Sequence, residues 1–146
     1  MQKQRVLVTC VQNSARSQMT EAFLKKYGED LFEVYSAGLE PAGVNPLAIK
    51  VMSEIGINIE NQRSKSFKEF LGHMQFSYVI AVCRKVENNC PFVFPVVRNY
   101  LSWPFDDPAA AEGSDEERLI AFRKIRDQIE EQVIMWIRDY RNGKTD

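Results

Sequence analysis

The sequence predicts an α/β domain built on a small four-stranded parallel sheet with helices on both faces. Three observations point to it. Val6-Leu7-Val8 and Tyr78-Val79-Ile80-Ala81-Val82 are short, uninterrupted apolar runs, as expected for strands covered on both sides. Other segments carry apolar residues every three or four positions, the stripe of an amphipathic helix. Strands and helices alternate along the chain, which implies parallel pairing through helical crossovers.

The elements follow in order. The first apolar run leads into the polar loop Cys10-Val11-Gln12-Asn13-Ser14-Ala15-Arg16-Ser17. Met19, Ala22, Phe23 and Tyr27 then mark one face of a helix from Ser17 to Tyr27, closed by Gly28. Phe32 to Ser36 is a second strand, ended by Ala37-Gly38. Asn45 as cap and Pro46 at the first helical position open a helix through Ala48, Val51, Met52 and Ile55 that stops at Gly56. Phe67 to Leu71 fits a further helical turn or two. Phe92-Val93-Phe94 and Val96-Val97, split by Pro95, predict the last strand, at an edge where proline is tolerated. Ser114-Asp115-Glu116-Glu117 is a capping box opening the longest helix. Its stripe of Leu119, Phe122, Ile125, Ile129, Val133, Trp136 and Tyr140 is core packing, and the intervening charges are a solvated face.

The 146 residues read as one domain spanning 1–146, with the 45% hydrophobic and 27% charged content of an ordinary globular chain. A net charge of -1 removes the electrostatic case for binding nucleic acid or an anionic membrane. No leader or membrane segment is read behind Met1-Gln2-Lys3-Gln4-Arg5, so a cytoplasmic location is expected. Three cysteines argue against a static disulfide framework and fit reactive thiols in a reducing compartment. A single histidine, and a Cys83-x6-Cys90 spacing unlike that of zinc sites, leave no metal cofactor to expect.

The loop Cys10–Ser17 sits between a strand and a helix, so its free N–H groups and the positive end of the helix dipole aim at one point. Arg16 adds a planar fork of donors suited to a tetrahedral oxyanion. A cysteine at the mouth of such a site is expected to have a lowered pKa, because donors that hold an anion also stabilise a thiolate. The loop lacks the Gly and Lys-Ser of a nucleotide-binding loop, and Asn13 is the residue best able to take a left-handed conformation in it. Ser14 and Ser17 offer hydroxyls to the sulfur or cap the helix. Cys10 and Cys83 both fall at the carboxyl ends of apolar strands, the edge where open α/β sheets bind ligands. Cys83 and Cys90 would lie about 10 Å apart along an intact helix. Bridging them needs a loop or an unwound helix, since a disulfide requires Cα atoms within about 7 Å; otherwise they are small buried hydrophobes. Trp103-Pro104-Phe105-Asp106-Asp107-Pro108 carries two carboxylates that serve either as an acid for a leaving oxygen or as turn residues before proline.

These residues together resemble the thioredoxin-coupled arsenate reductases built on the low-molecular-weight tyrosine phosphatase fold. The similarity runs nearly end to end, through Cys10 to Met19, Tyr35-Ser36-Ala37-Gly38, Gly43-Val44-Asn45-Pro46, Cys83-x6-Cys90-Pro91 and Trp103-x-Phe105-Asp106-Asp107-Pro108. The resemblance implies an oxidoreductase. Arsenate would sit on the loop residues Val11, Gln12, Asn13, Ser14, Ala15, Arg16 and Ser17, with phosphate and sulfate as competitors. Cys10 would be the nucleophile, Asp107 the acid, and Cys83 and Cys90 a redox pair reduced by thioredoxin. It implies no cofactor, and a monomer is expected. The alternative it carries is a phosphatase acting on aryl phosphates; a third reading, an oxyanion-binding regulator or phosphocysteine carrier, needs no acid. Three departures stand out. Ala15 replaces a cysteine found in many relatives, and Ala109-Ala110 replace the aromatic residues that phosphatases use to hold a phenyl ring. In several related reductases a potassium ion sits behind the loop on residues matching Asn13, Glu21 and Ser36 together with an Asp; that Asp position is Lys65 here.

Overall fold

The computed structural model describes residues 3–70, 74–83 and 97–143. Four parallel strands, β1 (Gln4–Cys10), β2 (Phe32–Gly38), β3 (Phe76–Ala81) and β4 (Val97–Ser102), form one sheet in the order β2-β1-β3-β4. The three α-helices are α1 (Arg16–Gly28), α2 (Pro46–Ser53) and α3 (Asp115–Arg141). The apolar runs read from sequence lie at the centre of the sheet, with Val6, Leu7, Val8, Val79 and Ile80 fully buried.

The alternation of side chains along the strands builds two cores. Val6, Val8, Tyr78 and Ile80 pack with α1, α2 and α3 in the larger one. Leu7, Ala37 and Val79 face the other way, under Phe67 of a 3-10 turn at Phe67–Glu69 and Phe70, which follows it. The helical turn or two expected at Phe67–Leu71 is therefore a single 3-10 turn, with Leu71 outside the described residues. Across one face of the sheet, Trp136 of α3 stacks on Phe32 (5.0 Å between ring centres) and meets Tyr78 and Trp103 edge-on at 5.3 and 5.7 Å. This cluster ties α3 to β2, β3 and the segment leaving β4. Arg126 of α3 also donates to the Val51 carbonyl of α2 at 2.9 Å and to Glu54 at 3.0 Å.

Two expectations are corrected and one is met in part. Of the expected last strand, residues 92–96 lie outside the described residues, and Val97 opens β4, which continues to Ser102. It is an edge strand as expected, and at an edge the polar Asn99 is accommodated, its amide donating to the Ser77 carbonyl at 3.2 Å. Gly28 is the last residue of α1 and not a left-handed cap; a Cβ there would come within 2.8 Å of the Phe32 ring, so glycine serves close packing. Finally, α1 is not amphipathic over its first turns, since Arg16 to Leu24 are all buried. The sheet, the other helices and the segment 62–66 enclose it. No described helix is long and apolar enough to cross a membrane.

Candidate active site

β1 is paired with β2 on one side and β3 on the other, so sequence neighbours diverge at its carboxyl end, the point where such sheets take ligands. The loop 10–16 leaves β1 there and runs into α1. The carbonyls of residues 11–15 are turned outward, and each accepts a hydrogen bond from the scaffold or from α1. Val11 O accepts from Glu40 N (2.9 Å), Gln12 O from Ala42 N (3.1 Å), Ser14 O from Asn45 N and Ala15 O from Met19 N (both 2.9 Å). Gln12 O also accepts from the Ser64 hydroxyl at 3.0 Å, and Asn13 O from the Gln18 amide at 3.0 Å. In a trans peptide the N–H opposes the C=O. Five outward carbonyls therefore turn the N–H groups of residues 12–16 toward the hollow of the loop, at the positive end of α1.

Asn13 takes the left-handed conformation expected of it, with φ 50°. Its amide donates to Ser17 Oγ (2.8 Å) and Ser36 Oγ (2.9 Å), and its side-chain oxygen accepts from Lys65 N (2.8 Å). Ser17 is thus an acceptor for Asn13, and the residue at the helix cap is Ala15, without a side-chain cap bond. Gly38, paired with Cys10 across the β1–β2 ladder, is where the loop doubles back. A Cβ at Gly38 would stand 2.5 Å from Val11 O and 2.9 Å from Asn13 N, so no larger residue fits without moving the loop.

Arg16 is buried, with Nη1 donating to the Phe105 carbonyl at 2.9 Å and Nη2 lying 3.9 Å from Asp107 Oδ2. The segment after β4 reaches the loop because Trp103 N and Phe105 N bond to the carbonyls of Ala81 and Val82 at 2.8 and 3.3 Å. Asp107 caps the 3-10 turn Pro108–Ala110, accepting from Ala109 N at 2.9 Å, while its second oxygen faces Arg16. Asp107 is thus a turn residue whose carboxylate also lies beside the loop. Cys10 ends β1 and Cys83 follows β3, the neighbouring strand whose Ala81 pairs with Thr9. Both sulfurs are on buried residues at one edge of the sheet. Cys10 is not part of a disulfide, whereas Cys83 is. Cys90 and the path from 84 to 96 lie outside the described residues.

Behind the loop, the Ser36 hydroxyl donates to Glu21 Oε1, Lys25 Nζ lies 2.5 Å from Glu21 Oε2, and Lys65 Nζ lies 3.7 Å from Glu21 Oε1. Burial pushes the Lys65 amine's pKa down, opposed by Glu21. Among the described residues no group of three or more His, Cys, Asp or Glu is placed to hold a metal. The potassium ligands of the resemblance do not fit a cation here either. Asn13 presents its NH2 to Ser36 and Ser17 and its oxygen to a backbone N–H, and the Glu21 oxygens are engaged by Ser36 and two lysines.

The scaffold of the loop was not foreseen from sequence. Gln18 is fully buried; its amide donates to Asn13 O and, at 3.1 Å, to Arg63 O, while Gln62 donates to Gln18 Oε1 at 2.7 Å. Segment 62–66 thus clasps the loop through Gln62, Ser64 and Lys65. A helix read as one-sided hides Gln18 among its solvated positions, and only burial marks it.

Comparison with known proteins extends these findings. The family model described as low molecular weight phosphotyrosine protein phosphatase matches residues 5–144. A Halalkalibacterium halodurans protein named arsenate reductase is 43% identical over 133 residues, 91% of this chain and 94% of that protein. A solved structure of an arsenate reductase in the phosphate binding state superposes with a TM-score of 0.75 at 33% identity, covering 93% of this chain and 98% of that one. The thioredoxin-dependent arsenate reductase of Corynebacterium glutamicum gives 0.68 at 27% identity, covering 97% of this chain and 63% of that one.

Proposed function

Because the chain belongs to the low-molecular-weight phosphotyrosine protein phosphatase family, we propose that its loop binds arsenate and that Cys10, Cys83 and Cys90 reduce it to arsenite. The observation that carries this reading is the loop itself: five carbonyls pinned outward, with Arg16 and two cysteine-bearing strand ends around the hollow. Proteins named arsenate reductase share this fold at 43% and 33% identity, which favours arsenate as the oxyanion.

The chemistry proceeds by sulfur exchange. The Cys10 thiolate attacks arsenic(V) held by the loop N–H groups and Arg16, the bond to one arsenate hydroxyl breaks, and Asp107 gives that hydroxyl the proton with which it leaves as water. The Cys83 thiolate attacks the Cys10 sulfur. The S–S bond forms as the S–As bond breaks, its electron pair stays on arsenic, and arsenite departs as arsenic(III). Cys90 then attacks Cys83, freeing Cys10 and leaving a Cys83–Cys90 disulfide. A dithiol of the thioredoxin class supplies the two electrons that reduce it. A disulfide at Cys83, with Cys10 outside any disulfide, agrees with the end of that sequence.

Phosphate is nearly the same size as arsenate, so the loop also admits phosphate esters, and slow aryl phosphatase activity accompanies the reductase. Ala109 and Ala110 are exposed and small, which leaves a phenyl ring little to stack on. The test is thioredoxin-dependent NADPH consumption by the purified chain on addition of arsenate. Efficient hydrolysis of aryl phosphates without such consumption would select the phosphatase instead.

A further inference from the structure

Glu21 is the one buried carboxylate among the described residues, at 4% exposure, and no step above uses it. A charge so placed is strongly destabilising unless paired and hydrogen-bonded. Two lysines answer it from different directions. Lys25 comes from the next turn of α1, with a side chain 51% exposed; Lys65 comes from segment 62–66, with a side chain only 12% exposed. Surface pairs contribute little, so Lys65 is the better-placed partner.

Lys65 also touches the loop directly. Its backbone N–H donates to Asn13 Oδ1 at 2.8 Å, its carbonyl accepts from Gly38 N at 2.8 Å, and its ammonium donates to Arg63 O as well as facing Glu21. From Glu21 the chain of bonds runs through Ser36 to the Asn13 amide, the residue whose left-handed turn shapes the loop. The charged groups around the ammonium are Glu21 and Lys25 of α1, Arg63 of its own segment, and Glu69 of the 3-10 turn.

We propose that Lys65 is a positioning residue for the oxyanion loop, an internal cation that fixes Glu21, Ser36 and Asn13 in the place where the resemblance implies a bound potassium ion. The donor set described above does not suit potassium, and the ammonium makes it unnecessary. The inference rests on the loop binding an oxyanion, whichever oxyanion is turned over.

Inorganic phosphate is the probe, titrated calorimetrically into the reduced full-length chain. Lys65→Met should weaken phosphate binding about five- to twentyfold, and Lys65→Arg should restore most of it. In a Glu21→Gln background the Lys65→Met change should have little further effect, because the pair acts as a unit. Thermal unfolding accompanies each variant; should Lys65→Met not fold, Lys65→Gln and Lys65→Arg still separate a charge effect from a packing effect. Wild-type affinity should be equal in potassium and sodium salts at matched ionic strength. Wild-type affinity in Lys65→Met, fully additive losses with Glu21→Gln, or a several-fold gain in potassium would overturn the proposal. A wild-type chain that binds no phosphate would overturn the oxyanion reading as well.

Discussion

Asn13 holds its left-handed conformation through three side-chain hydrogen bonds, to Ser17, Ser36 and the Lys65 backbone. Asn13→Ala would lose all three and keep a conformation costing about 1–2 kcal/mol for a residue with a plain Cβ. Phosphate affinity should drop at least tenfold and urea stability by about 2–4 kcal/mol. Gly38→Ala makes a sharper test, because it removes nothing. Its methyl group meets Val11 O and Asn13 N, so the loop must shift while the sheet beneath stays paired. Phosphate binding should be largely lost with a far-UV spectrum close to wild type; unchanged affinity would show that the loop tolerates displacement. The left-handed turn at Asn13 and the place of Arg16 beside the loop were legible in the sequence because each uses what its residue type does best. Gln18, Gln62 and Ser64 were not, because their role depends on which backbone happens to pass within reach.

Among the elements, those whose signals are local were read correctly. The Asn45 side chain accepts from Leu47 N at 2.8 Å with Pro46 beside it, and Ser114 and Glu117 form the reciprocal capping box. Ser114→Ala should lower stability by about 1 kcal/mol and leave arsenate turnover unchanged, since α3 begins far along the chain from the loop and meets the site only through packing. Thermal unfolding and a turnover assay check both halves. Elements defined by their neighbours were read less well. β4 is an edge strand with polar Asn99, so hydrophobic runs marked only its first residue, Val97. α1 is enclosed on all sides over Arg16–Leu24, and a periodicity argument assumes that one face meets water. Gly28→Ala follows from the same packing: a methyl group pressing on Phe32 and Ile137 should destabilise the α1–α3 contact by about 1–3 kcal/mol, read as a lower urea midpoint.

For the whole molecule, the order β2-β1-β3-β4 brings Cys10 and Cys83, distant in sequence, to one edge of one sheet, and hydrogen bonds from Trp103 and Phe105 carry Asp107 to the same place. Alternating strands and helices made that convergence legible before any contact was known. The disulfide relay is what distinguishes the proposed reductase from a phosphatase on the same loop, and the three thiols separate its steps. Cys10→Ser should abolish arsenate reduction and aryl phosphate hydrolysis alike, whereas Cys83→Ser should abolish only the reduction. The most direct measurement is mass spectrometry of Cys90→Ser after arsenate treatment, with peptide mapping of its disulfides and a count of arsenite released. The account predicts one arsenite per chain and a trapped Cys10–Cys83 disulfide; sustained thioredoxin-coupled turnover by this variant, or arsenite release with no Cys10–Cys83 bond, would contradict it.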